Sequence, residues 1–179
     1  MPMDVGLADL LRKHGDTSRL PAPRPVVACE TCPYQIYRFT QGRSKARLEA
    51  ARRIALAVAR ETCAETHIAS WHLEKPRWGT IFLAVRPPGP RGQNAVRYMV
   101  GGVGFVKNHR KTVEIGALCS HDRQGRRLVE MILASGKASG ATQAKLDAVS
   151  GAVPFWEKMG FHRTSQPNKS GETLMAKKL

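Results

Sequence analysis

Two short stretches carry residue types that could hold a metal ion. "CETC", from Cys29 to Cys32, has the two-residue gap of a zinc knuckle. "CAETH" sets Cys63 and His67 four positions apart, on one flank of a helix end. Together these side chains would offer thiolates and an imidazole to tetrahedral zinc, stapling the N-terminal segment onto the first long helix. The alternative for the same cysteines is burial as small apolar groups in a core. Four cysteines in 179 residues do not amount to a disulfide scaffold.

The other chemistry visible at once is cationic. Twenty-nine Lys and Arg stand against fourteen Asp and Glu, a net charge of +15. The long-range field of such an excess favours an anionic partner: RNA, DNA or a protein bound to nucleic acid. Lys45, Arg47, Arg52, Arg53 and Arg60, along one stretch, and the basic loop "RPPGPRG" would contact phosphates, which position a nucleic acid without reading its sequence. An ordinary solvated helix face is the alternative. No run approaches the roughly 18 apolar residues that a membrane span needs. The N-terminus has an early Asp4 and no apolar core of a secretory signal, so a cytoplasmic location and no membrane partner are expected.

Residues 4–14 suit a short helix with Leu7, Leu10 and Leu11 on one side, and the proline-rich run after it suits an extended linker. Residues 1–30 thus form an extension to a domain spanning 31–179. "PYQIYRFT" alternates Tyr34, Ile36 and Arg38 against Gln35, Tyr37 and Phe39, a strand pattern. Ser44 is a fair N-cap for a helix with Leu48, Ala51, Ala55 and Val58 on one stripe. Strands are predicted over 68–73, 79–85, 96–106 and 112–119, a helix after Gly125, a strand over 143–149, a short helix over 151–160 and a last strand from Glu172. This order makes an α/β chain with a mixed sheet and helices on both faces.

Three pieces in that order resemble the GNAT superfamily of N-acyltransferases, over roughly Tyr34 to Leu179. "VEIGAL" looks like the family's fourth strand, "RQGRRLVEMIL" like its acyl-CoA loop and helix, and "AVPFWEKMGF" like its Ala-x-x-Phe-Tyr-x-x-x-Gly-Phe ending. The resemblance implies a mostly antiparallel sheet whose parallel fourth and fifth strands splay apart, with pantetheine of acetyl-CoA between them. Its amides would pair with backbone around Leu118, Cys119 and Ser120, and its diphosphate would rest on the N–H groups that open the following helix. Arg123, Gln124, Gly125, Arg126, Arg127 and Trp156 complete the expected cofactor surroundings. The loop departs from the family's glycine-rich form: "SHDRQGRR" is short and keeps only Gly125, which aligns with either the first or the second family glycine. Arginine forks suit phosphates, and would compensate for the missing glycine.

The resemblance also implies catalytic groups. Glu114 falls where some protein-lysine acetyltransferases of the family keep a glutamate. An amine nucleophile must lose a proton, and a partly buried carboxylate between Val113 and Ile115 could take it. A surface glutamate on an alternating strand is the alternative, and His121 and Asp122 beside the loop are further candidates for the base. Trp156 stands where many members have a tyrosine that protonates the departing thiolate. An indole N–H cannot act as that acid, so Tyr98, Ser150 and bound water are candidates, and the Trp156 ring is expected to pack in the core. The expected activity is acyl transfer to a primary amine on a nucleic-acid-associated target such as aminoacyl-tRNA or a ribosomal protein. The alternatives are a catalytically degenerate nucleic-acid-binding module and a nucleobase-modifying relative.

Overall fold

A computed structural model of the chain describes residues 3–42, 44–63, 79–86 and 99–179. The strand predicted over 68–73, the loop after Arg86, His67 and Tyr98 lie outside the described residues. Helix α1 (Met3–Lys13) is followed by strand β1 (Gln35–Thr40), helix α2 (Lys45–Thr62), and strands β2 (Thr80–Val85), β3 (Val100–Asn108) and β4 (Thr112–Ser120). Helix α3 (Gly125–Ala138), strand β5 (Gln143–Val149), a 3-10 turn (Ser150–Ala152), helix α4 (Val153–Lys158), and strands β6 (His162–Arg163) and β7 (Glu172–Lys178) complete it. The strands form one seven-stranded sheet in the order β1-β2-β3-β4-β5-β7-β6. Every pairing is antiparallel except β4 with β5. The mixed, mostly antiparallel sheet expected from the sequence is therefore present.

Period-two alternation gives the sheet two apolar faces. On one, Tyr37, Phe39, Ile81, Leu83, Val103 and Phe105 meet the small-residue stripe of α2 (Ala51, Ala55, Val58) and Leu7, Leu10 and Leu11 of α1. The N-terminal helix is thus docked on the domain. Arg47 of α2 reinforces it, reaching Asp16 at 2.8 Å and the carbonyls of Leu20 and Pro21. Arg53 donates to the His14 carbonyl. Two arginines expected to face phosphates therefore tie down the N-terminal segment. Ser44 caps α2 as expected, its Oγ accepting from the Arg47 N–H at 3.2 Å.

The other face carries Ile36, Phe82, Val106, Val113, Ile115, Ala144 and Leu146 against Leu128, Val129 and Ile132 of α3 and Trp156 of α4. Here α3 lies close, because β3 presents glycine where it crosses. A Cβ on Gly104 would sit 2.8 Å from Ile132 Cδ1. The pairing of β3 with β4 slips between Phe105↔Ala117 and Val106↔Ile115, leaving Gly116 as one extra residue on β4. Such a bulge bends its strand and swaps the faces on which later side chains lie. Thus Val113 and Ile115 pack on the α3 side, whereas Ala117 and Cys119 pack on the α2 side. No helix among the described residues is long and apolar enough to cross a membrane.

The closeness of α3 makes Gly136 a test of the packing. A Cβ there would collide with Cγ2 of Val113, a β-branched side chain with little freedom to turn away. Gly136→Ala should therefore lower unfolding stability by about 1–2 kcal/mol, overpacking outweighing the helix-propensity gain. Urea denaturation checks this, and a stabilised variant would show that the α3–β4 contact is looser than described.

Candidate active site

Strands β4 and β5 pair only from Thr112↔Gln143 to Ile115↔Leu146. Beyond that β4 continues to Ser120 bonded to β3, and β5 to Val149 bonded to β7. Between them a wedge opens, and its lining follows from hydrogen-bond parity. Backbone groups of an antiparallel strand alternate between its two edges. The His121 N–H donates to the Gly101 carbonyl at 2.9 Å, so Cys119 shares that edge toward β3. The N–H and C=O groups of Leu118 and Ser120 turn to the edge that β5 has left.

At the wide end of the wedge α3 begins. Gln124 is its N-cap and makes no side-chain cap bond. The first helical bond is Leu128 N–H to the Gln124 carbonyl at 2.9 Å, so the N–H groups of Gly125, Arg126 and Arg127 have no helical partner. Gly125 is there for space: a Cβ on it would lie 2.7 Å from Ser120 Oγ and 3.6 Å from the Phe155 ring. Gln124 is 8% exposed, and its Oε1 is buried with no hydrogen-bond partner among the described residues. Orphan N–H donors, the positive end of a helix dipole and a glycine clearing make a cradle suited to an anion. Of the three arginines expected here, Arg126 pairs with Glu130 at 3.1 Å on the surface, and Arg127 donates to the Tyr34 carbonyl. The Arg123 side chain makes no hydrogen bond or ion pair among the described residues.

Glu114 lies next to the closed end of the wedge, on the sheet face opposite α3. Its side chain is 44% exposed, more open than expected, and its Oε2 lies 3.1 Å from His109 Nε2. Lys107 and Lys145 are its cross-strand neighbours. It opens onto a cavity of about 300 Å³ that His109, Lys145, Asp147 and Leu174 also line. The cavity thus joins two carboxylates to an imidazole at the point where the strands part.

Trp156 is 6% exposed, its ring edge-on to Phe155 and Phe161 at 5.0 and 5.3 Å, a packing role as expected for the ring. Ser150 is exposed at the start of the 3-10 turn. His121 and Asp122 belong to the loop rather than to the cavity. His121 Nε2 lies 2.9 Å from the Val100 carbonyl, and Asp122 Oδ2 accepts from Tyr34 Oη at 2.6 Å. Tyr34 is the residue that sequence reading missed. Only a strand former was legible there, because its partner lies 88 positions away.

The zinc expectation requires correction. Cys29 bonds Cys32, and Cys63 bonds Cys119. A sulfur committed to a disulfide is not a thiolate ligand, and Cys63 is directed across the α2 face to β4. No group of three metal-ligating side chains forms among the described residues, which do not include His67. The spacing that suggested a knuckle reflects a local disulfide. Cys119 likewise turns its sulfur to Cys63 and its backbone to β3, away from the wedge where an acyl-donor contact was expected.

No family model matches the sequence, and no curated protein matches it. Solved structures do. A Lactobacillus plantarum protein assigned as an N-acetyltransferase superposes with a TM-score of 0.62 at 16% identity, covering 83% of this chain and 99% of its own. An aminoglycoside 6'-acetyltransferase of type Ii gives 0.56 at 18% identity, covering 80% and 96%. Tetrahymena GCN5 gives 0.55 at 14% identity, covering 82% and 96%. At these identities the likeness is one of fold, and the chain has the GNAT fold.

The Cys63–Cys119 bond closes a long loop, with its ends 56 positions apart. In the chain-entropy picture such a crosslink is worth about 4 kcal/mol at most. Replacing both cysteines by alanine should lower stability by about 2–4 kcal/mol, whereas EDTA should leave the melting temperature of the native chain unchanged. A drop in melting temperature with EDTA, reversed by zinc, would restore the metal reading.

Proposed function

We propose that the protein is an N-acyltransferase that moves an acetyl group from acetyl-CoA to a primary amine. The observation that carries this reading is the parting of β4 from β5 beside an uncapped helix start. The residues fit the donor. N–H groups of Gly125, Arg126 and Arg127, with the Arg123 side chain, would hold the diphosphate, and the Leu118 and Ser120 backbone would pair with pantetheine amides. The thioester supplies the acyl carbon: a C–N bond forms as the C–S bond breaks. Glu114 accepts the proton the amine gives up, and His109 stands behind it. Proton delivery to sulfur is the lesser demand, because a thiol with a pKa near 8.5 is already a fair leaving group. Ser150, Tyr98 and water are the donors we propose for it.

The acceptor we propose is an amine carried by an anionic body, such as aminoacyl-tRNA or a nucleic-acid-bound protein. Glu114 and Asp147 at the cavity suit a cationic amine. Lys107, Arg110, Lys111 and Lys145 around them, with the net charge of +15, suit phosphates on its carrier. A cytoplasmic site of action belongs to the same proposal and makes its own demand: in a reducing compartment Cys63 and Cys119 would be thiols.

Acetyl-CoA at a hundredfold its dissociation constant should stabilise the protein by roughly 2.7 kcal/mol in a thermal-shift experiment. Gly125→Val should abolish that shift, because its methyls fill the clearing beside Ser120. No shift with acetyl-CoA or any other CoA ester overturns the reading. With an amine acceptor in hand, Glu114→Gln should lower kcat by roughly a hundredfold or more near neutral pH while acetyl-CoA binding persists. An unchanged kcat would move the base elsewhere.

A further inference from the structure

We infer that Tyr34 is the positioning residue of the acyl-donor loop: its hydroxyl holds Asp122 in a left-handed conformation, doing through a side chain what glycine would do through backbone freedom. The inference rests on the acyl-CoA reading above. The loop from Ser120 to Gly125 must turn the end of β4 into α3 so that the first-turn donors meet the wedge. It does so with two successive left-handed residues, Asp122 at φ 50° and Arg123 at φ 59°, the only non-glycine residues with positive φ among those described. In that region Cβ crowds the carbonyl oxygen, and two such residues in a row persist only where their surroundings fix them.

The surroundings do fix them. Tyr34 Oη donates to Asp122 Oδ2 at 2.6 Å, and His121 Nδ1 lies 3.3 Å from the same oxygen. Gln124 Nε2 donates to the Asp122 carbonyl at 3.0 Å. Arg127, in the first turn of α3, donates to the Tyr34 carbonyl, so one residue grips the loop on both sides of the bend. Tyr34 is itself closely enclosed. It is 2% exposed, the Arg86 guanidinium lies 5.8 Å over its ring, and a Cβ on Gly101 would stand 2.5 Å from that ring. Burial, then the bond to Asp122, pushes the Tyr34 hydroxyl up to about 12. The Tyr34 bond foremost holds the Asp122 carboxyl below the usual range. Around neutral pH the phenol therefore keeps its proton and the carboxylate its charge, which makes this a charge-assisted bond. That proton is committed to Asp122, so Tyr34 orients the donor site and does not protonate the leaving thiolate.

A loop released from this grip would spend part of its time in forms that cannot cradle the diphosphate, and apparent affinity falls by the fraction that remains competent. Tyr34→Phe removes only the hydroxyl. It should raise the KM for acetyl-CoA about tenfold and leave kcat within about twofold. Adding Asp122→Gly to Tyr34→Phe should recover most of that affinity, because glycine adopts φ near 50° without steric cost. A purely stabilising hydroxyl would show no such rescue, and melting curves for each variant monitor folding. Amide hydrogen exchange gives an arm that needs no ligand: Tyr34→Phe should speed exchange at residues 122–128, and the second change should slow it again. Unchanged exchange and KM in Tyr34→Phe, or a double variant no better than the single one, overturn the inference. A native chain that binds no acetyl-CoA while its exchange responds as described overturns the acyl-CoA reading and leaves the grip on the loop standing.

Discussion

The rest of the molecule depends on how briefly β4 and β5 keep company. Every buried strand needs partners for its N–H and C=O groups, and strands normally keep a neighbour along their length. Here the two share four residue pairs, after which β4 stays with β3 and β5 with β7. Gly116, the extra residue on β4, sits immediately after the last shared pair, where a bulge adds bend and twist. The backbone of Leu118 and Ser120 is thereby left for something other than the sheet.

The same bulge divides the side chains of β4 between the two faces. Before it, even-numbered positions of β4 face away from α3, which puts Glu114 on the open side with Lys145 and Asp147. After it, Leu118 faces α3 and Cys119 turns to the α2 side. On the proposed reading, the donor and the acceptor would approach one another from opposite faces, through the gap where β4 and β5 no longer pair. Glycine in β3 serves this arrangement by letting α3 sit low on the sheet, so that its first turn opens beside Ser120.

Much of this was legible in the chain. The stripe of Leu48, Ala51, Ala55 and Val58 declared α2, Ser44 declared its start, and Gly125 marked the helix opening, since local period and capping chemistry are written in neighbouring residues. What failed to show was non-local. Cys63 and Cys119 come from a helix end and a strand, and only the fold brings their sulfurs together. Read by spacing alone, the cysteines suggested zinc. The hydroxyl of Tyr34 likewise finds Asp122 only after β1 has been placed at the far side of the sheet. Strand β6, just His162 and Arg163, is too short to leave any period.

Composition sets a boundary near residue 30, yet Leu7, Leu10 and Leu11 lie within the core, and Asp16 shares a nearly buried ion pair with Arg47. A chain shortened at that boundary would bare the alanine-rich flank of α2 to water and leave the guanidinium of Arg47 facing no counter-charge. Such a fragment would be prone to self-association, so trimming the apparent tail to obtain a tidier domain would remove one wall of its core.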